Sequence, residues 1–317
     1  MERIRHLKEY LLTVHPVRMT SGQKEDFRRW AMSELKRAGW KARTETYGKL
    51  NGSINVVAGD PEQAEVIFCA HYDTGSRMWL PNFVSPTNVL AHFSYHFAVG
   101  MLLVVLALMA SLAVSFPLKQ PQLTLPLFLV FEIVLLWLSG FGFANPNNAN
   151  GNSSGVLALL SLARELARNK RVAFVLLDNN ERDLLGASAF RKKHFSASER
   201  ALFINLDCVG DGEHMLLMPS KHSRWDGDLL AALGNAFPES GEMQCHVLDK
   251  GLVYYPSDHR KFKFHVAICA CHRLAGVGYY IPRLRSKRDT VLNEDNILLL
   301  RDSLVRFLRL YCSNRAE

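Results

Sequence analysis

VIFCAHYDT, residues 66–74, runs from a compact apolar stretch straight into His71, Asp73 and Thr74 without a turn residue between them. A short, uninterrupted apolar run of this kind is expected as a strand buried on both faces of a sheet. Polar side chains clustered at its end point to a site outside the carboxyl edge of that sheet, where open α/β folds bind ligands.

Working outward, Lys41 to Tyr47 and Ile54 to Gly59 read as strands. Before them, Ser21–Ala38 puts Phe27, Trp30, Ala31 and Leu35 on one face after a serine cap and ahead of Gly39, which predicts an amphipathic helix. Downstream, a helix opens in NANGNSSGV, capped by Ser153 or Ser154, and runs to about Asn169. RVAFVLLD (171–178) is a buried strand, and LLGASAFRKKH (184–194) is a short helix. ALFINLDCVGDG (201–212) repeats the strand-then-acid pattern. HMLLM and VAICACH read as further strands, and Asn293–Tyr311 as a closing helix with Ile297, Leu300, Leu304, Phe307 and Leu308 on one face. Strands alternating with helices predict an α/β fold with a mainly parallel central sheet and helices on both faces.

Two apolar runs interrupt this pattern. Phe97–Phe116 carries no charge, and Leu123–Phe143 carries only Glu132. About 20 residues suffice to cross a hydrocarbon core. The PLKQPQ turn between the runs makes them an inserted two-helix transmembrane hairpin that returns both flanks to one side. The expected division is 1–88 and 146–317 for the two parts of one large domain and 89–145 for the insert. Lys and Arg concentrate in the flanking regions while the turn has only Lys119, so the main domain is placed in the cytoplasm of a multi-pass membrane protein. MERIRHLKEYLLTVHP, at the start of the sequence, lacks the pattern of a secretory signal.

The chain has 317 residues and a formal charge of +8. Its basic residues are scattered, so an anionic lipid surface explains the excess better than nucleic acid, which is not expected as a partner. The six cysteines lie largely within apolar strand-like runs, which argues for buried thiols rather than a disulfide framework.

Three strand ends carry groups that suit a metal: His71 with Asp73, Glu181, and Asp207. One imidazole and two carboxylates are a donor set that zinc accepts. In order along the chain, HYDT at His71, NSSGV at Asn152, ERDLLGASAF at Glu181, INLDCVGDG at Ile204, YPSDHRKF at Tyr255 and RDT at Arg288 resemble the co-catalytic zinc aminopeptidases and exopeptidases. That family includes bacterial leucyl aminopeptidase, glutamate carboxypeptidase and the silent domain of transferrin receptor. The likeness spans nearly everything outside the hairpin. It implies His71 and Asp207 as ligands of one zinc, Asp73 as the carboxylate that orients His71, and Glu181 as a ligand of a second zinc.

The departures are specific. Gly151 stands where the resemblance requires the aspartate bridging the two metals, and Asn180 stands at the general-base glutamate. Arg285 stands at the second metal's histidine. A glycine offers no ligand, an amide accepts no proton at neutral pH, and a guanidinium repels a cation. The expectation is therefore at most one zinc, residual ligands His71, Glu181 and Asp207, and no catalytic residue that can be assigned. Arg285 either pairs with Glu181 in the vacated site or is an exposed loop arginine. His92 with His96, and Cys269, Cys271 and His272, read as interfacial and core residues; His259 and Asp183 are candidate substitute ligands.

Functionally this predicts a membrane-anchored, aminopeptidase-like protein with lost or strongly reduced hydrolysis. Its retained cleft would take a peptide or protein ligand, and membrane lipid would be its other partner. An active single-zinc aminopeptidase using substitute ligands and a membrane scaffold or assembly protein are the alternatives.

Overall fold

The computed structural model describes residues 2–48, 52–167, 169–238 and 243–313. Two helices, α1 (Glu2–Val14) and α2 (Ser21–Arg37), lead into strands β1 (Ala42–Thr46), β2 (Ile54–Ala58) and β3 (Val66–His71). The two long apolar helices follow, α3 (Val89–Ser115) and α4 (Thr124–Phe141). The chain then alternates through α5 (Ser154–Glu165), β4 (Val172–Leu177), α6 (Leu185–Lys193), α7 (Phe195–Arg200) and β5 (Leu202–Leu206). It closes with β6 (His214–Pro219), α8 (Gly227–Ala236), β7 (Gln244–Val247), β8 (His265–Leu274), β9 (Gly278–Tyr280) and α9 (Glu294–Ser313).

One sheet runs in the order β1-β2-β4-β3-β5-β8-β6-β7, with β9 on β8. The expected parallel character holds at its centre, where β4, β3, β5 and β8 are mutually parallel. It fails on the flanks: β1 to β2, β2 to β4, β6 to β8 and β8 to β9 are all antiparallel, so the sheet is mixed. The reason is connection length. A strand that returns through a short loop, as β1 to β2 and β8 to β9 do, can only pair antiparallel.

Alternation along the central strands divides the core. Val66, Phe68 and Ala70 face a large cluster with Leu11, Phe27, Leu159 and Phe307 from α1, α2, α5 and α9. Ile67 and Cys69 face a second cluster with Phe190 and Ala197 from α6 and α7. Strands buried on both sides need no polar face, which is why VIFCA is continuously apolar.

Local chemistry moves several expected boundaries. The cap of α2 is Thr20 rather than a serine. Its hydroxyl accepts the Gln23 N–H while the Gln23 side chain accepts the Thr20 N–H, a reciprocal capping box. α5 ends at Glu165, short of Asn169, and Ser153 makes no side-chain cap bond; Asn152 Oδ1 accepts the Gly155 N–H instead. α3 begins two turns before the uncharged run, where Asn88 Oδ1 accepts the Ala91 N–H.

α3 and α4 pack on each other and are long and apolar enough to cross a membrane. Met109, Leu125, Ile133 and Trp137 are exposed on their outer surfaces. The segment leaves and rejoins the domain at adjoining points: Ser76 and Ala144 form a bridge, and the Arg77 N–H donates to Phe143 O at 2.7 Å.

Candidate functional site

Because β4, β3 and β5 are parallel neighbours, the turns that follow them lie on one edge of the sheet. His71, the last residue of β3, sits between two carboxylates. Its Nε2 is 3.6 Å from Asp207 Oδ1, and its Nδ1 is 3.4 Å from Asp73 Oδ1 and 3.1 Å from the Asp73 carbonyl. All three residues are buried. Burial disfavours the charged imidazole, but Asp207 and Asp73 outweigh it and hold the His71 pKa well above its ordinary value. Burial likewise opposes ionisation of Asp207, yet His71 draws its carboxyl down to about 2.

Asp73 does a second job. Its two carboxylate oxygens accept the backbone N–H groups of Asn180 and Glu181 at 3.0 and 3.1 Å, so it ties the turn after β4 to the end of β3. That turn is held from below by Lys24 of α2, whose Nζ is 2.7 Å from both Asp178 Oδ1 and Asn179 Oδ1. Arg18, fully buried, donates to the carbonyls of Tyr72 and His15 and to Ser153 Oγ, bracing the strand end from the other side. Left-handed backbone at Asn179, Asp183, Leu184 and Cys208 marks the tight turns that this bracing maintains.

The other half of the site is built differently. Arg285 Nη1 lies 3.6 Å from Glu181 Oε2, and the arginine side chain is 18% exposed. The same guanidinium donates to Ser76 O, Ser76 Oγ and Ser139 O, so it is fixed on three further acceptors. A Cβ placed on Gly151 would stand 3.1 Å from Leu284 Cδ2 and 3.3 Å from Asp289 Oδ2. Asp289 in turn accepts the N–H groups of Asn150 and Gly151. Its pKa is pushed up to about 7 by burial, against those two bonds.

His71, Gly151, Asn180, Glu181, Asp207 and Arg285 all line one cavity of 290 Å³. Two of the expected ligands, His71 and Asp207, face each other there, while Glu181 is beside a permanent cation. Among the described residues no group of three or more His, Cys, Asp or Glu side chains could hold a metal ion. The donor set does not fit a pair of zinc ions, and it falls short of the three protein ligands of a catalytic zinc site.

Asp258 was not singled out in the sequence. It is completely buried, neither carboxylate oxygen has a hydrogen-bond partner among the described residues, and burial raises its pKa to about 7 against the pull of His71. The signal was available in YPSDHRKF, but a carboxyl in a motif does not reveal its desolvation. Among the substitute candidates, Asp183 lines the cavity, whereas His259 is stacked on Tyr255 and lines a neighbouring groove. His92 and His96 lie 4.6 Å apart at the base of α3, and His96 Nε2 meets Phe83 O. Cys269 and Cys271 are buried thiols, and His272 pairs with Asp211 and Glu213.

Residues 140–280 match peptidase family M28. That stretch is similar to the peptidases of this family. Solved structures share its fold. LapA aminopeptidase of Legionella pneumophila superposes with a TM-score of 0.61 at 14% identity over 98% of this chain and 69% of its own. A Zn-dependent exopeptidase of Parabacteroides distasonis gives 0.59 at 14%, over 97% of both chains. A glutaminyl cyclase of Bacteroides thetaiotaomicron gives 0.57 at 15%, over 96% of this chain and 94% of its own. No curated protein matches the sequence. Gly151, Asn180 and Arg285, the three positions that depart from the expected pattern, all line the cleft itself.

Proposed function

We propose that this chain is a membrane-anchored member of the M28 family in which peptide hydrolysis is lost or strongly reduced and the cleft is kept for binding a peptide or protein ligand. The observation that carries the reading is Arg285: its guanidinium stands beside Glu181 and supplies positive charge where a second cation would otherwise be needed. Gly151 adds to it, because Leu284 and Asp289 crowd the place a bridging carboxylate would need. Asn180 removes the proton acceptor, a loss worth about 10²–10⁴ in rate.

The anchoring part of the proposal rests on α3 and α4, whose outward side chains would expose a continuous apolar surface to water unless lipid covers them. The main domain, formed by 1–88 and 146–317, then lies on the cytoplasmic side with the insert 89–145 in the bilayer.

One observation favours a second reading, an active enzyme with a single zinc. Asp258, three residues beyond Tyr255 of the cleft wall, is a buried carboxyl whose pKa burial pushes up to about 7 against His71, so it can exchange a proton near neutral pH. Metal analysis of the full chain purified in detergent, together with aminoacyl chromogenic substrates, separates the two. The expected result is substoichiometric zinc and no turnover. Stoichiometric zinc with turnover that Glu181→Ala abolishes would overturn the proposal.

A further inference from the structure

Beside the cleft, and sharing Tyr255 and Arg260 with it, is a larger open groove of 710 Å³. Its walls carry Arg191, Lys221, Arg224, Arg260, Lys261 and Lys263 against one acid, Glu199. Glu199 is committed to Arg191 at 3.4 Å and Lys263 at 3.5 Å. The others are not neutralised by carboxylates among the described ion pairs. Arg224 is oriented along the wall by the carbonyls of Pro219 and Gly251, and Arg260 lies over the Tyr254 ring. A concave surface with this excess of fixed cations is built for an anion.

Its position specifies which anion. The Tyr254 ring, on the groove wall, lies 5.1 Å from both His92 and Phe93 in the first turn of α3. Phe93 is one turn ahead of the uncharged run that begins at Phe97, a rise of about 6 Å. The groove therefore opens at the depth of lipid headgroups when the hairpin spans a bilayer. Leu252, 75% exposed, lines it, and Trp225, 90% exposed, follows Arg224 of its wall in the chain. Large apolar side chains next to cations are the composition of a surface that rests on a membrane interface. Trp79, 93% exposed, adds to this from the loop whose Pro81 and Phe83 carbonyls bond Tyr95 and His96 of α3.

We infer that this groove is a binding site for the phosphate headgroup of an anionic membrane phospholipid, held by Lys221, Arg224, Arg260 and Lys261 while Trp225 and Leu252 meet its acyl chains. The inference rests on the hairpin lying in a bilayer. It goes beyond that reading by assigning a lipid class to a defined groove.

The test uses the full chain in neutral detergent, titrated with phosphatidylglycerol or phosphatidylcholine, with bound lipid counted by native mass spectrometry. Phosphatidylglycerol is expected to be retained about tenfold more tightly. The double variant Lys221→Ala/Lys261→Ala, the first exposed and the second half-buried and neither in a described ion pair, is expected to lose that preference while its melting temperature stays unchanged. Millimolar inorganic phosphate is expected not to displace the lipid. Equal retention of the two lipids, or an unchanged preference in the double variant, would overturn the inference. Displacement by inorganic phosphate would overturn it too, because the ligand would then be a soluble phosphate. Alkaline carbonate extraction of membranes tests the hairpin separately: release of the chain defeats the anchoring reading, whereas the detergent titration reports on the groove alone.

Discussion

The two halves of the cleft differ in what supports them. His71, Asp73 and Asp207 sit on the ends of parallel strands or in the residues just after them, where a change would disturb the sheet. Gly151, Asn180, Glu181 and Arg285 sit in connecting segments, where side chains can change with little effect on the core. The half rooted in strands carries all of its expected groups, and the half carried by loops carries only Glu181 of its own, with Gly151, Asn180 and Arg285 at the other places. The strand-borne half sets His71 between two carboxylates, and the loop-borne half sets a guanidinium beside Glu181.

That comparison can be broken most directly at Asp73. Asp73→Ala leaves two N–H groups of the Glu181 turn unpaired and His71 with a single counter-charge, and is expected to cost about 3–5 kcal/mol in chemical denaturation of the full chain. A shift below about 1 kcal/mol would mean that the strand-borne half is not structural. Arg285→Ala is expected to cost about 1–3 kcal/mol, since it removes bonds to Ser76 and Ser139 as well as the charge beside Glu181. An unchanged denaturation midpoint would show that the loop-borne half is not held by its arginine. Gly151→Asp, which restores a carboxylate at the bridging position, is expected to destabilise by about 1–3 kcal/mol because Leu284 and Asp289 must move aside; a more stable variant would argue that the place is still open.

The smallest effect comes from a second histidine held by two carboxylates. His194 Nδ1 is 2.8 Å from Glu62 and its Nε2 is 2.9 Å from Glu45, away from the cleft. Burial lowers its pKa, but the two glutamates win and raise it. Its contribution is therefore complete below the unfolded histidine value of about 6.5 and is lost as pH rises through the higher folded value. Stability measured from pH 6 to about pH 9 should fall more in the parent chain than in His194→Gln, by less than about 1 kcal/mol. Identical slopes would show that His194 is neutral in the folded chain.

Much of this was legible in the sequence for physical reasons. VIFCA, VAFVLL and LFINL are continuous apolar runs because they are buried on both faces, and each is followed by an acid at the sheet edge. Strand direction was not legible on the flanks, because a period of two is the same in either direction. α8 and β7, between Asp226 and Val247, lie outside the elements expected from the sequence, and the opening stretch, which lacks a secretory-signal pattern, forms α1 with Ile4, Leu7 and Leu11 at helical spacing. In the site, the identities of Gly151, Asn180 and Arg285 were readable from the motifs around them. What fills the space they leave was not, because Leu284, Asp289 and Asp258 are brought there by the fold, and their burial is a property of three-dimensional packing.

The place of the hairpin has a consequence for the order of synthesis. It lies between β3 and everything β3 pairs with, since β4 and β5 are both made after it. β2 also waits for β4, so before the hairpin emerges from the ribosome the amino-terminal part can form only the β1–β2 pairing of the final sheet. Translation must deliver both long apolar helices before the parallel core can close, so the domain completes its fold with these helices already made.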